Sequence, residues 1–313
     1  MRFSATQWAV ILGGSSGFGL ATAQKLAEHG MSCFIVHRDR RGAMARIEPE
    51  FERIRATGVS LVTLNVDALD PAVREETLAK LATTLGAEGR VRVLLHSIAF
   101  GNLKLLVPER PGERAAAPAL AHALGVDPTV VTTAATRLFK QGIDALAPLA
   151  DPPTYSASSL LDEEDFARTI HAMGTSLVGW THALLERRLF ADDARVFGLT
   201  SEGNTVAWKG YAAVAAAKVA LESVSRAMAV ELAPYGVRSN IVQAGVTDTP
   251  ALRAIPGNEQ LAAQARLRNP FRRLTTPRDV ANVIYLLSTD DAAWINGTII
   301  RVDGGEHVSG LGG

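Results

Sequence analysis

The run Trp8–Leu12 (WAVIL) has no polar position, stops at a glycine-rich stretch, Gly13–Gly19 (GGSSGFG), and gives way at once to a helical pattern. A strand that is apolar on both faces must be covered on both faces. A parallel sheet flanked by helices does this, and a one-sided antiparallel sheet does not. The alternation continues down the chain. Ser32–Val36, Val59–Val66, Val91–His96, Arg195–Thr200, Val237–Gln243 and Thr298–Val302 read as strands. Between them Phe18–His29, Gly42–Thr57, Pro71–Leu85, Asp162–Phe190, Tyr211–Ala233 and Pro277–Ser288 read as helices.

Strand and helix in such regular turn predict an α/β fold: a doubly wound, parallel, seven-stranded Rossmann-type sheet with helices on both faces. One domain is expected to span all 313 residues, since no linker or repeat divides them. Hydrophobic residues make up 47% and charged residues 20%, which suits a large core and excludes a disordered chain. Lys+Arg and Asp+Glu stand at 32 each, so no net field draws the protein to nucleic acid or an anionic membrane. Cys33 is the one cysteine, which excludes an intrachain disulfide and a cysteine metal cluster. No H-x-x-x-H pair exists among the histidines, and His96, His171 and His182 are expected to ligate no metal. No secretory signal and no membrane-length apolar run is evident, so a cytoplasmic protein is expected.

One stretch breaks the rhythm. Residues 101–160 hold Pro108, Pro111, Pro118, Pro128, Pro148, Pro152 and Pro153, a density that excludes a central strand. Asp127-Pro128 reads as a helix start, with Pro128–Leu146 helical. The stretch is expected to be an insertion after strand four. It leaves the carboxyl edge of the sheet, where ligands bind in this architecture, as a lid over the pocket or as a subunit-contact arm.

Gly13, Gly17 and Gly19 lie between the first strand and its helix. In that context, glycines let the backbone approach a pyrophosphate while the helix start supplies free N–H groups, so a dinucleotide site is expected. The end of strand two reads Val36-His37-Arg38-Asp39-Arg40-Arg41. An acidic residue at position 37 would favour NAD. His37 stands there and Arg38 follows, which points to the 2′-phosphate of NADP, with NAD possible through Asp39.

After strand five, Tyr211 and Lys218 fall seven apart at a helix start, close to two turns, and so on one face. A phenol near an ammonium can donate or share a proton while the cation steadies developing negative charge. By themselves the two residues read more readily as a core tyrosine and a surface lysine.

The spacing G-x-x-x-G-x-G resembles the short-chain dehydrogenase/reductase superfamily, with Leu12 where a threonine is usual. The seven-residue Tyr–Lys spacing, HSIAF (His96–Phe100) and NIVQAGVTDTPA (Asn240–Ala251) resemble its divergent enoyl-acyl-carrier-protein reductase branch. Together these motifs cover nearly all of the chain except 101–160. Well-known members carry a second tyrosine ten residues before the first. Ser201 stands there, as in some NADPH-dependent members.

The resemblance implies an NADPH-dependent oxidoreductase acting on CH–CH bonds, reducing an enoyl thioester carried on acyl carrier protein or coenzyme A. It implies Tyr211, Lys218 and Ser201 as catalytic residues. It implies a cofactor site formed by Gly13, Ser15, Ser16, Gly17, Phe18, Gly19, Arg38, Asn65, Val66, Ser97, Ile98, Ala99, Lys218, Gly245, Val246, Thr247 and Thr249. Asn65 would contact the adenine, Ile98-Ala99 would lie under the adenosine ribose, and Leu252–Leu267 would form a flap over the acyl chain. A homotetramer in fatty-acyl metabolism is the family expectation. The same Tyr and Lys would serve a 3-oxoacyl or carbonyl reductase, and a silent NADP-binding regulator is the third reading.

Overall fold

The computed structural model describes residues 2–110, 116–155 and 159–310. In chain order the elements are β1 (Gln7–Leu12), α1 (Gly17–Glu28), β2 (Ser32–His37), α2 (Met44–Arg55), β3 (Leu61–Asn65), α3 (Pro71–Leu85) and β4 (Arg90–His96). There follow α4 (Ala116–Leu124), α5 (Pro128–Lys140), α6 (Glu163–Ile170), α7 (Ser176–Glu186), β5 (Phe190–Ser201), α8 (Ala212–Glu231) and β6 (Val237–Ala244). The chain closes with α9 (Pro250–Arg253), α10 (Asn258–Arg268), α11 (Pro277–Ser288) and β7 (Ile299–Val302).

The strands form one parallel sheet of seven in the order β3-β2-β1-β4-β5-β6-β7. The expected fold class is thus observed. The order reverses between β1 and β4, which opens a crevice at their carboxyl ends. Register brings those ends level: Leu12 pairs with Val36 and His96, and Ser201 pairs with Ala244, itself opposite Val302.

Period-two alternation distributes the apolar strands between two cores. Trp8, Val10 and Leu12 pack with Leu78, Trp180, Leu184 and Leu221 of α3, α7 and α8 on one face. Ala9 and Ile11 pack with Leu26, Phe51 and Ile284 of α1, α2 and α11 on the other. No helix among the described residues is long and apolar enough to cross a membrane.

The continuous helix expected over Asp162–Phe190 is broken. A π turn at His171–Thr175 separates α6 from α7, and Phe190 already belongs to β5, paired with Val91. The cause lies in packing: Gly174 is pressed so closely on α8 that a Cβ there would sit 2.9 Å from the Ala217 carbonyl oxygen. Met173 and Trp180, seven apart, therefore do not share one packing surface. Met173 packs with Val214 at the cleft, and Trp180 donates its indole N–H to Ala68 O at 2.9 Å in the main core.

The insertion contains α4 and α5, and the helix expected to run to Leu146 ends at Lys140 with a separate 3-10 turn at Asp144–Leu146. Its positions 111–115 and 156–158 lie outside the described residues. Residues 252–267, expected as one flap, resolve into the end of α9 and most of α10.

Candidate active site

The carboxyl ends of the strands enclose a cavity of about 630 Å³ that runs from the β1–α1 turn to the start of α8. At one end, Ser15, Ser16, Gly17 and Phe18 line it together with Gly13. Gly13 has φ +87°, and a Cβ there would lie 2.5 Å from Ser97 O. Gly19 is one turn behind and does not face the cavity: a Cβ on it would meet Gly13 O at 2.2 Å. The two glycines thus let α1 start directly against the end of β1 and expose its first-turn N–H groups, the arrangement that holds a pyrophosphate.

Val66, Ser97, Ile98 and Ala99 form the neighbouring wall, and Gly245, Val246, Thr247 and Thr249 the opposite one. Thr249 caps α9 by accepting from Leu252 N–H at 3.2 Å. Asn65 lies outside the cavity. Its amide accepts from Asp39 N–H at 2.9 Å and donates to Asp39 O at 3.0 Å, fastening the loop after β2. That loop presents Arg38, half exposed, with Nη1 donating to Asp67 Oδ2 at 2.6 Å and the guanidinium 4.8 Å from the centre of the Phe100 ring. Asp39 is turned onto buried His37, whose Nδ1 lies 2.9 Å from Oδ2.

At the other end of the cavity Tyr211 stands immediately before α8, and Lys218 follows two turns along the same face. Lys218 is buried and donates to Leu199 O at 2.7 Å. Burial lowers its pKa to about 8, with the nearby Glu222 carboxylate acting in the opposite sense. Ser201 Oγ and Tyr211 Oη are 3.3 Å apart. Burial raises the Tyr211 phenol above its ordinary value, and the Ser201 contact offsets part of the rise, so the phenol holds its proton at neutral pH. Gly203 makes this seat possible, since a Cβ there would fall 2.4 Å from Tyr211 Cε1. His96 ends β4 within the core, its Nε2 2.8 Å from Ser176 Oγ, and burial together with the Lys218 charge lowers its pKa to about 3. Among the described residues no three His, Cys, Asp or Glu side chains gather as a metal site.

The sequence matches two family models: "short chain dehydrogenase" over residues 7–105 and "Enoyl-(Acyl carrier protein) reductase" over residues 128–307. The chain belongs to the short-chain dehydrogenase/reductase superfamily. It is an oxidoreductase of that superfamily, and residues 106–127 of the insertion separate the two matches. It is similar to a cis-4-hydroxycyclohexanecarboxylate dehydrogenase of Sinomonas cyclohexanicum, 28% identical over 302 residues that cover 95% of each protein. It is also similar to a 1-cyclohexenylcarbonyl-CoA reductase of Streptomyces collinus, 36% identical over 120 residues, 38% of this chain and 43% of that one. A short-chain dehydrogenase of Burkholderia cenocepacia solved in complex with NADP superposes with a TM-score of 0.67 at 21% identity, covering 96% of this chain and 98% of that one.

In this oxidoreductase the space beyond Tyr211 is walled by Leu103, Met173, Trp208, Val214, Ile255 and Leu261. Sequence reasoning singled out none of these individually, although Ile255 and Leu261 fall within the flap expected over the acyl chain. They come from six separate segments, and an apolar residue carries no mark that distinguishes a pocket wall from a core. Glu202 was also missed, although a carboxylate directly after Ser201 at a strand end is a visible signal. Of the insertion, Gly101 and Leu103 line the cavity, and α4 and α5 line no part of it.

Proposed function

We propose that the chain is an NADPH-dependent enoyl-thioester reductase. The observation that carries this reading is the placement of Tyr211, with Ser201 beside it and Lys218 below, where the glycine-walled half of the cavity meets the apolar half. The glycine cradle and the β2 loop fit a dinucleotide: a Cβ at Gly13 would strike Ser97 O and one at Gly19 would strike Gly13 O, so only glycine lets the start of α1 sit bare at the end of β1, and Arg38 stands beside it at the cleft edge. NADPH, when bound, supplies the hydride for C3 of the enoyl group.

The chain's own residues do the rest. Tyr211 donates its Oη–H to the thioester oxygen, on which negative charge develops, and this preorganised donor lowers the barrier. The Lys218 ammonium favours the polarised phenol and stands where ribose hydroxyls would be held. Ser201 keeps the phenol oriented. The apolar wall holds the acyl part and excludes water. A proton from solvent adds at C2 as the enolate collapses, so that hydride and proton together saturate the C2–C3 bond. We further read the protein as a cytoplasmic homotetramer in acyl metabolism, and Val219 and Val230, exposed on α8, suit a subunit contact.

The alternative is a 3-oxoacyl or carbonyl reductase. The Ser201–Tyr211 pair favours it, because two hydroxyls close together can also polarise a ketone, and the Sinomonas relative is named as a hydroxyacid dehydrogenase. Crotonyl and acetoacetyl thioesters of coenzyme A and acyl carrier protein, offered with NADPH and followed by its absorbance, separate the two. Oxidation of NADPH with crotonyl thioester is the expected result. Turnover of acetoacetyl thioester alone assigns the oxo reductase, and turnover of neither leaves a silent binding protein.

A further inference from the structure

The helix α10 forms one wall of the acyl half of the cavity through Leu261, and arginines two residues apart fasten it on opposite sides. Arg266 donates from Nε and Nη2 to Asp144 of the insertion, both at 2.6 Å. Arg268, the last residue of α10, reaches the other way. Its Nη1 and Nη2 donate to Glu202 Oε1 and Oε2, both at 2.5 Å, and Nη2 also donates to Glu306 Oε1 at 3.0 Å.

Glu202 follows Ser201, lines the cavity and is 9% exposed, while Glu306 is 1% exposed. The other Glu306 oxygen accepts from Val246 N–H at 3.3 Å. Gly245 leaves room for it, since a Cβ there would lie 2.9 Å from that oxygen. One guanidinium therefore joins the turn that carries Ser201, the helix over the acyl chamber and the loop at the far wall. Apolar packing would hold a helix as firmly as a buried ion pair does. What the forked pairing adds is direction, because a bidentate contact fixes both partners in one orientation.

We propose that Arg268 is a positioning residue that couples the seating of α10 on the acyl chamber to the placement of the Ser201–Tyr211 pair. This rests on the Tyr211-centred reading of the site, and not on whether an enoyl or an oxo group is reduced.

Two variants of the full-length protein test it. Glu202→Gln keeps the side-chain shape and leaves Arg268 balanced by Glu306. Arg268→Lys keeps the charge and removes the fork. On whichever thioester is reduced, each should lower kcat by about tenfold or more, as small displacements of catalytic groups do. The NADPH Kd of Glu202→Gln, read from nicotinamide fluorescence, should stay within about twofold, which separates positioning from cofactor binding. The double variant should be no worse than the poorer single variant, the signature of one shared interaction. Amide hydrogen exchange should rise in 201–206 and 258–268 together. Additive losses in the double variant, or faster exchange in 258–268 with kcat unchanged, would overturn the proposal. If the native chain reduces neither thioester, the reductase reading fails separately. Exchange then decides the coupling, and unchanged exchange in 201–206 in both variants would refute it.

Discussion

Tyr211 keeps its proton because burial disfavours a phenolate, and Lys218 sits near its titration point because burial disfavours an ammonium. Tyr211→Phe should therefore bind NADPH normally and lose about 10²-fold or more in turnover, the cost of one oxyanion donor. Near-native turnover would move the donor to Ser201. The Lys218 value of about 8 lies below the ordinary 10.5, so the amine carries its charge below about pH 8 and loses it above. kcat/KM for NADPH should accordingly be level through neutral pH and fall on the alkaline side, about tenfold per pH unit, as the free enzyme's essential acid titrates. A profile that stays flat to about pH 9.5 would deny Lys218 that role. On the proposed reading Arg38 would exchange Asp67 for a 2′-phosphate, so the expected margin for NADPH over NADH is at the low end for a charge-assisted bond, about tenfold. Arg38→Ala should erase most of it and leave NADH binding unchanged, and equal use of both cofactors by the native enzyme would promote Asp39 as a ribose ligand. At this scale the sequence was informative where chemistry has a signature. It pointed to Tyr211, Lys218 and Arg38, but it did not show the pairing of the Asn65 amide with Asp39, because nothing local records it.

Among the elements, the β1–α1 turn leaves the least room. A methyl group on Gly19 would meet Gly13 O at 2.2 Å, backbone against backbone, and no flexible side chain can give way. Gly19→Ala should cost about 1–3 kcal/mol of stability, as overpacking does, and should weaken dinucleotide binding by displacing the start of α1. Chemical denaturation with and without NADPH would measure both, and a variant unchanged in each would show that the turn has slack. The α6–π–α7 segment teaches the opposite lesson. Its apolar spacing read as one long helix, and the π turn came from the close approach of Gly174 to α8, a contact between residues more than forty apart in sequence. Helix α11, by contrast, has the bounds that its sequence announced, Pro277 to Ser288. A Thr276–Asp279 capping box fixes its start locally.

Across the whole molecule the insertion does two things at once. Its first residues, Gly101 and Leu103, line the cavity. Phe139 and Ala150 pack on Ala263 of α10, with Asp144 paired to Arg266. Binding of an acyl thioester should therefore slow hydrogen exchange in 101–110 and 258–268 and leave 116–124 and 128–135 unchanged. Protection spread evenly over the insertion would favour a lid that closes as one piece, and none in 101–110 would favour a subunit-contact arm. The sequence by itself determined the parallel sheet, its two-faced helical cover, the glycine turn and the Tyr–Lys pair. Each is written in short-range periodicity or in a motif whose residues are near neighbours on one element. Tertiary structure alone decided the apolar wall, the break at His171–Thr175, the division of labour within the insertion, and the Glu202–Arg268–Glu306 contact. These depend on which distant segments meet, and the physics of that meeting resides in packing and desolvation between elements, where no local pattern records it.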